Sequence, residues 1–147
     1  TATNDEEFRR LEESWKGLKQ YLSRGYKIRY TFPDEFLGYI EEEIIIGDVK
    51  YTPKVLSTEE DFKVEGHIMK NCMGGQFNHG SIFIFISLRK GKRWVDVRFN
   101  KGEQTMVYGK ANSPVPDDFK VVVAALSKRV KKYGKVSWVK EKYDLIK

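Results

Sequence analysis

Cysteine is almost absent from this 147-residue chain: Cys72 is the only one. It cannot form an internal disulfide, in keeping with a reducing compartment. A structural zinc usually takes four ligands, two of them closely spaced as in C-x-x-C; His67, Cys72 and His79 supply three, with no such pair. No run approaches the ~18 apolar residues that span a bilayer, and the first residues lack the basic and apolar regions of a signal peptide. The expectation is a cytoplasmic protein with no membrane association. A chain that opens on Thr1 rather than Met reads as a processed chain or an excised domain. Gly74-Gly75 lacks the glycine spacing and the following Lys-Ser/Thr of a phosphate loop, and no cofactor is expected.

What is present is enough for one core. With 40% hydrophobic, 14% aromatic and 33% charged residues and a mean hydropathy of -0.56, residues 1–147 read as one folded domain. The net charge of +6 is unevenly placed: Lys128 to Lys147 holds eight basic residues and two acids, which leaves nineteen of each sign elsewhere. A basic end (128–147) on a neutral body fits a polyanionic partner such as nucleic acid, because each Lys or Arg at a phosphate displaces a counterion. It equally fits a solvated helix face.

Apolar spacing predicts an N-terminal helix over Asn4 to Arg24, with Phe8, Leu11, Trp15, Leu18 and Leu22 on one stripe. Tyr26 to Phe32 reads as a strand, Asp34 to Ile40 as a helical turn, and Ile44-Ile45-Ile46, Gly47-Asp48 and Val49 to Leu56 as a hairpin with Pro53 on an edge strand. Ser57 and Glu60 resemble a capping box that opens a central helix toward Cys72, with Gly66 able to break it. Ser81 to Leu88, Arg93 to Phe99 and Gln104 to Lys110 form a three-strand meander (81–110). Its first strand is apolar on both faces and therefore central; in its second, Val95, Val97 and Phe99 oppose Trp94, Asp96 and Arg98. A last helix runs from Pro116-Asp117 to about Lys132, burying Phe119, Val122, Val123, Leu126 and Val130, and residues 136–147 carry no clear pattern. The fold class is α+β: an antiparallel sheet packed against N-terminal, central and C-terminal helices.

Between Glu65 and Leu126 a string of short signatures resembles the PcfJ-like family of conjugative plasmids and phages. Glu65-Gly66, Met69 and Asn71-Cys72 resemble its segment ending in His-Cys; Ile86-Ser87-Leu88-Arg89 and Val95-Asp96-Val97 resemble two of its strands. Gly109-Lys110-Ala111-Asn112 is similar to its Gly-x-x-Asn before a proline loop, and a helix follows, so the family-like core spans about 57–132. Asn71 stands where the family has histidine, and Met106 stands near the place of a family glutamine. The resemblance implies a mobile-element context rather than a defined reaction.

Three functions follow. The first is nucleic-acid binding through Lys128, Arg129, Lys131, Lys132 and Lys135, joined by Arg89, Lys92 and Arg93 at a basic hairpin tip. Trp94, Arg98 and Tyr108, on one sheet face, have the makings of a base-stacking platform. The second is an enzyme centred on Cys72, with His79 as base and Asp96 or Asn112 as orienter. His67, five residues before Cys72, projects about 140° away on a regular helix. The commoner role of a free cysteine is a buried small hydrophobe, here at a helix-to-sheet junction, and that of Asn112 is an Asx-turn. The third is a module that docks on a protein partner.

Overall fold

The computed structural model describes residues 27–81, 83–100, 103–115, 117–133 and 143–146. The expected N-terminal helix, Lys135 and the turn at Lys101-Gly102 lie outside them. The elements run β1 (Lys27–Tyr30), α1 (Asp34–Ile40), β2 (Ile44–Ile46), β3 (Val49–Val55), α2 (Glu59–Met69), β4 (Ile84–Lys90), β5 (Lys92–Asn100), β6 (Glu103–Tyr108), α3 (Phe119–Tyr133) and β7 (Tyr143–Ile146). Strands β2 to β6 form one five-stranded antiparallel sheet in chain order, and β1 pairs antiparallel with β7 in a separate ribbon. The α+β class and the meander are therefore present, and β4 is the central strand.

One face of the sheet is apolar. Val55 of β3, Ile84, Ile86 and Leu88 of β4 and Val95, Val97 and Phe99 of β5 meet Phe36 and Ile40 of α1 and Val122, Val123, Leu126 and Val130 of α3. The apolar stripe of α3 explains its docking, and Arg129 ties its outer edge to α1: that guanidinium donates to the carbonyls of Tyr39, Ile40, Glu42 and Glu43 at the helix end. The carbonyls of Tyr39 and Ile40, in the last turn of α1, have no partners within the helix and carry its negative dipole end.

The opposite face is aromatic and polar. Phe62 of α2, Phe85 of β4, Tyr108 of β6, Tyr30 of β1 and Met73 and Phe77 of the two short 3₁₀ turns (Cys72–Gly75 and Phe77–Ser81) form a second cluster. The Tyr30 hydroxyl donates to the Phe77 carbonyl at 2.6 Å and fixes the β ribbon to this layer.

Several expectations shift in detail. The box that opens α2 is Thr58 with Asp61, one residue later than Ser57 with Glu60: the Thr58 hydroxyl accepts from the Asp61 N–H, and the Asp61 carboxylate accepts from Thr58 and Ser57. Asp is short enough to reach back over one turn, and these hydrogen bonds outweigh its burial and hold its pKa below the ordinary value. Pro53 does not mark an edge strand, because β3 lies between β2 and β4. The three-residue β2 covers only Val49 to Tyr51, however, so the nitrogen of Pro53 faces an unpaired stretch. Two residues on, the Val55 N–H points the same way and is satisfied by the Glu41 carboxylate at 2.9 Å.

Candidate functional site

Glu65, Ser87 and Asp96 are the buried polar side chains among the described residues, at 1%, 0% and 0% exposure. All three meet under α2. Ser87 and Asp96 are cross-strand partners on β4 and β5. Each sits between core residues of the other face, since alternate residues of a strand point to opposite sides. Glu65 comes down from α2, accepts from the Ser87 hydroxyl at 2.8 Å and pairs with the Arg93 Nε at 2.8 Å. Removal of a carboxylate from water is expensive unless it is paired and hydrogen-bonded, and Glu65 is both.

Two carboxyls this close and this buried cannot both ionise. Burial, followed by the hydrogen bond and charge of Glu65, raises Asp96 to about 9. For Glu65 burial acts upward, but hydrogen bonds from Asp96, Arg93 and Ser87 outweigh it and hold the group below its usual range. Glu65 is thus the anion and Asp96 the neutral acid that donates to it. No donor reaches the buried Asp96 Oδ1, as suits an oxygen that carries the proton.

Asp96 Oδ2 in turn accepts from Asn71 Nδ2 at 3.0 Å, and the same amide reaches the Gly109 carbonyl at 3.4 Å. Asn71 Oδ1 accepts from the Met73 N–H at 3.1 Å and caps the 3₁₀ turn that begins at Cys72. One side chain therefore joins the end of α2, the middle of β5 and the end of β6. The two positive-φ non-glycine residues described flank this junction: Lys70 at φ 53 ends α2, and Ala111 at φ 54 follows Gly109. A left-handed L-residue costs about 1–2 kcal/mol, so the surrounding contacts hold the backbone there.

Gly66 does not break α2. It lets the turn approach: a Cβ on Gly66 would lie 2.4 Å from the Gly74 nitrogen and 2.9 Å from its Cα, both backbone atoms. The helix ends instead at Met69, and Cys72 falls just beyond it.

Cys72 is exposed, which overturns its reading as packing material. The buried place at this junction belongs to the neighbouring Met73, at 0% exposure, because the capped turn directs residue 73 inward. The thiol lies within electrostatic range of the Tyr108 hydroxyl, whose pKa rises first through burial and to a smaller degree through Cys72. The Cys72, His79 and Asp96 trio is not assembled: Asp96 is sealed beneath Asn71, and among the described residues His79 makes no side-chain hydrogen bond. His67 is exposed on α2. Asn112 closes the short 3₁₀ turn Lys110–Asn112 after Gly109. No group of three His, Cys, Asp or Glu side chains suited to a metal occurs among the described residues.

The stacking platform is divided. Leu88 pairs with Val95 but Arg89 with Arg93, so Trp94 is the extra residue of a β-bulge. The bulge turns Trp94 to the apolar face, against Tyr51 at 5.1 Å. Lys90 joins these rings and pairs with Asp118 at 3.2 Å. Arg98 stays on the other face, 4.1 Å over the Phe83 ring, with Tyr108 in the same layer.

The basic residues divide as well. Arg89 and Arg93 project to the α2 side, whereas Lys128, Arg129, Lys131 and Lys132 belong to α3 across the sheet. Arg93 is committed to Glu65 and Arg129 to the end of α1. Lys92, Lys128, Lys131 and Lys132 are exposed. No described helix is long and apolar enough to cross a membrane.

Glu65, Ser87 and Asn71 stand in the family-like signatures, but charge and nucleophile reasoning does not single them out as site residues. Their signal is local: a polar residue flanked on both sides by core residues in a strand, as in Ile86-Ser87-Leu88 and Val95-Asp96-Val97, must face something that satisfies it. Comparison with protein-family models, with curated proteins and with solved structures finds no match to this chain.

Proposed function

We propose that the chain is a PcfJ-like domain of a plasmid or phage protein and that it binds nucleic acid along α3. The observation that carries the reading is the solvent face of that helix. Lys120, Lys128, Lys131 and Lys132 are all exposed, and residues 119–133 contain no acid. At ~100° per residue these four lysines fall within an arc of about 120°, opposite the buried stripe. Lys131 pairs with Glu103 at 2.9 Å and Lys132 lies 4.7 Å over the Tyr39 ring, but exposed pairs of this kind are worth only about 0–1 kcal/mol and a phosphate competes with them. Arg129 helps from behind by holding the helix in place.

The test is a titration with single- and double-stranded DNA and RNA at two salt concentrations. Binding at low salt that weakens steeply as salt rises supports the reading, and Lys128→Gln with Lys132→Gln lowers both affinity and salt slope. Absence of binding at low salt, or binding indifferent to salt, removes it.

A second reading, cysteine chemistry at Cys72, is favoured by one observation: the thiol is exposed on a turn pinned through Asn71 to a buried carboxyl. Alkylation at neutral pH faster than that of a cysteine in an unfolded peptide supports it, and slower alkylation removes it. Protein docking has less to stand on, because the exposed large apolar residues described, Ile45, Val64, Ile68, Met106 and Val121, are spread over four elements.

A further inference from the structure

We propose that Arg89 and Arg93 form an anion site that takes a single phosphate group, on the α2 side of the sheet and separate from the lysine face of α3. The two arginines are direct cross-strand partners on β4 and β5. Like charges placed opposite each other destabilise a sheet unless a counter-charge lies between them. Only half of that counter-charge is supplied. Glu65 pairs with Arg93 through Nε at 2.8 Å, and this is the one ion pair that the two guanidiniums make among the described residues.

Arg89 has no ion pair and no side-chain hydrogen bond among the described residues, and its Nε is buried without a partner. A buried N–H that neither protein nor solvent satisfies is strongly disfavoured, so an acceptor is called for at that point. Asp96 does not supply the missing charge, because it retains its proton beside Glu65. The balance of two guanidiniums and one carboxylate leaves one surplus positive charge. It also leaves the terminal Nη donors of Arg93 with no hydrogen bond among the described residues, since Glu65 takes the Nε. Two planar forks side by side match the oxygens of a phosphate better than they match a point charge. Lys92, exposed at the adjoining hairpin tip, adds to the positive field.

The ligand class is a phosphate monoester dianion, either free or as the terminal phosphate of a nucleotide. Isothermal titration of the whole chain with inorganic phosphate, and separately with a nucleoside 5′-monophosphate, provides the test. Saturable binding is expected, weakened at least tenfold in Arg89→Gln and less in Arg89→Lys, which keeps the charge but loses the fork. Arg89 is the informative position because its guanidinium makes no hydrogen bond or ion pair among the described residues that the substitution would break; circular dichroism of the variant checks that the fold is kept. Lys128→Gln with Lys132→Gln leaves phosphate binding unchanged, so this site stands or falls independently of nucleic-acid binding along α3. Binding of both ligands identifies the nucleotide phosphate, and binding of inorganic phosphate alone identifies the free anion. No saturable binding, equal binding by Arg89→Gln, or equal loss in the α3 variant overturns the proposal.

Discussion

The two faces of the central sheet solve different problems. Beneath α1 and α3 the buried side chains are apolar apart from the Tyr51 hydroxyl, which finds Asp118 at 3.0 Å. Beneath α2 the same strands bury Glu65, Ser87 and Asp96 among Phe62, Phe85 and Tyr108. Apolar burial contributes roughly 25 cal/mol per Å² and tolerates modest repacking. A buried polar network adds little net stability and fails badly when one member is removed. The first face therefore carries the fold. The second holds a fixed arrangement of groups, from which Asn71 and Cys72 emerge at the surface.

The contrast can be broken from either side, and the largest effect belongs to the polar face. Glu65→Ala leaves Arg93 without its carboxylate and Ser87 and Asp96 without an acceptor, and it is expected to cost about 3–5 kcal/mol in urea denaturation. Leu126→Ala, at the centre of the apolar face, is expected to cost about 3 kcal/mol by cavity formation, without altering alkylation of Cys72. Gly66→Ala, which drives a methyl into the Gly74 backbone, is expected to cost about 1–3 kcal/mol and to change the alkylation rate of Cys72, because the turn must move. Lys128→Gln with Lys132→Gln lies at the small end, within about 0.5 kcal/mol in the same assay, with its effect confined to binding.

Period and punctuation made most of the fold legible. Apolar residues on both faces, Ile84 and Ile86 on one and Phe83 and Phe85 on the other, marked the central strand, and Val122, Val123, Leu126 and Val130 marked the buried side of α3. Misplacements arose where a single hydrogen bond decides between neighbours. Thr58 caps in place of Ser57 because its hydroxyl is the one that accepts from the Asp61 N–H, and Trp94 changes faces because one extra residue sits in β5. The site was less legible than the fold. Asp96 stood out as an acid inside a strand, but its partner Glu65 looked like one of several acids on a charged helix until the helix was docked. Cys72 was misjudged because burial of a neighbour, Met73, depends on the turn that Asn71 caps.

The central claim is that Asp96 keeps a proton under α2 while Glu65, Arg93, Asn71 and Tyr108 surround it. Its folded pKa of about 9 lies above the ordinary 3.8, so the native chain retains a proton that the unfolded chain releases. Stability must then fall as pH rises between those values, with a slope of at most about 1.4 kcal/mol per pH unit. Glu65, held below its ordinary 4.5, acts in the opposite sense, its contribution being lost only as the solution becomes more acidic than that. Urea denaturation of the native chain and of Asp96→Asn, a neutral mimic of the protonated acid, at pH 6, 7, 8 and 9 isolates the effect. The account predicts that the native chain loses stability across this range relative to Asp96→Asn; parallel profiles, or a native chain that gains stability relative to the variant, would contradict it.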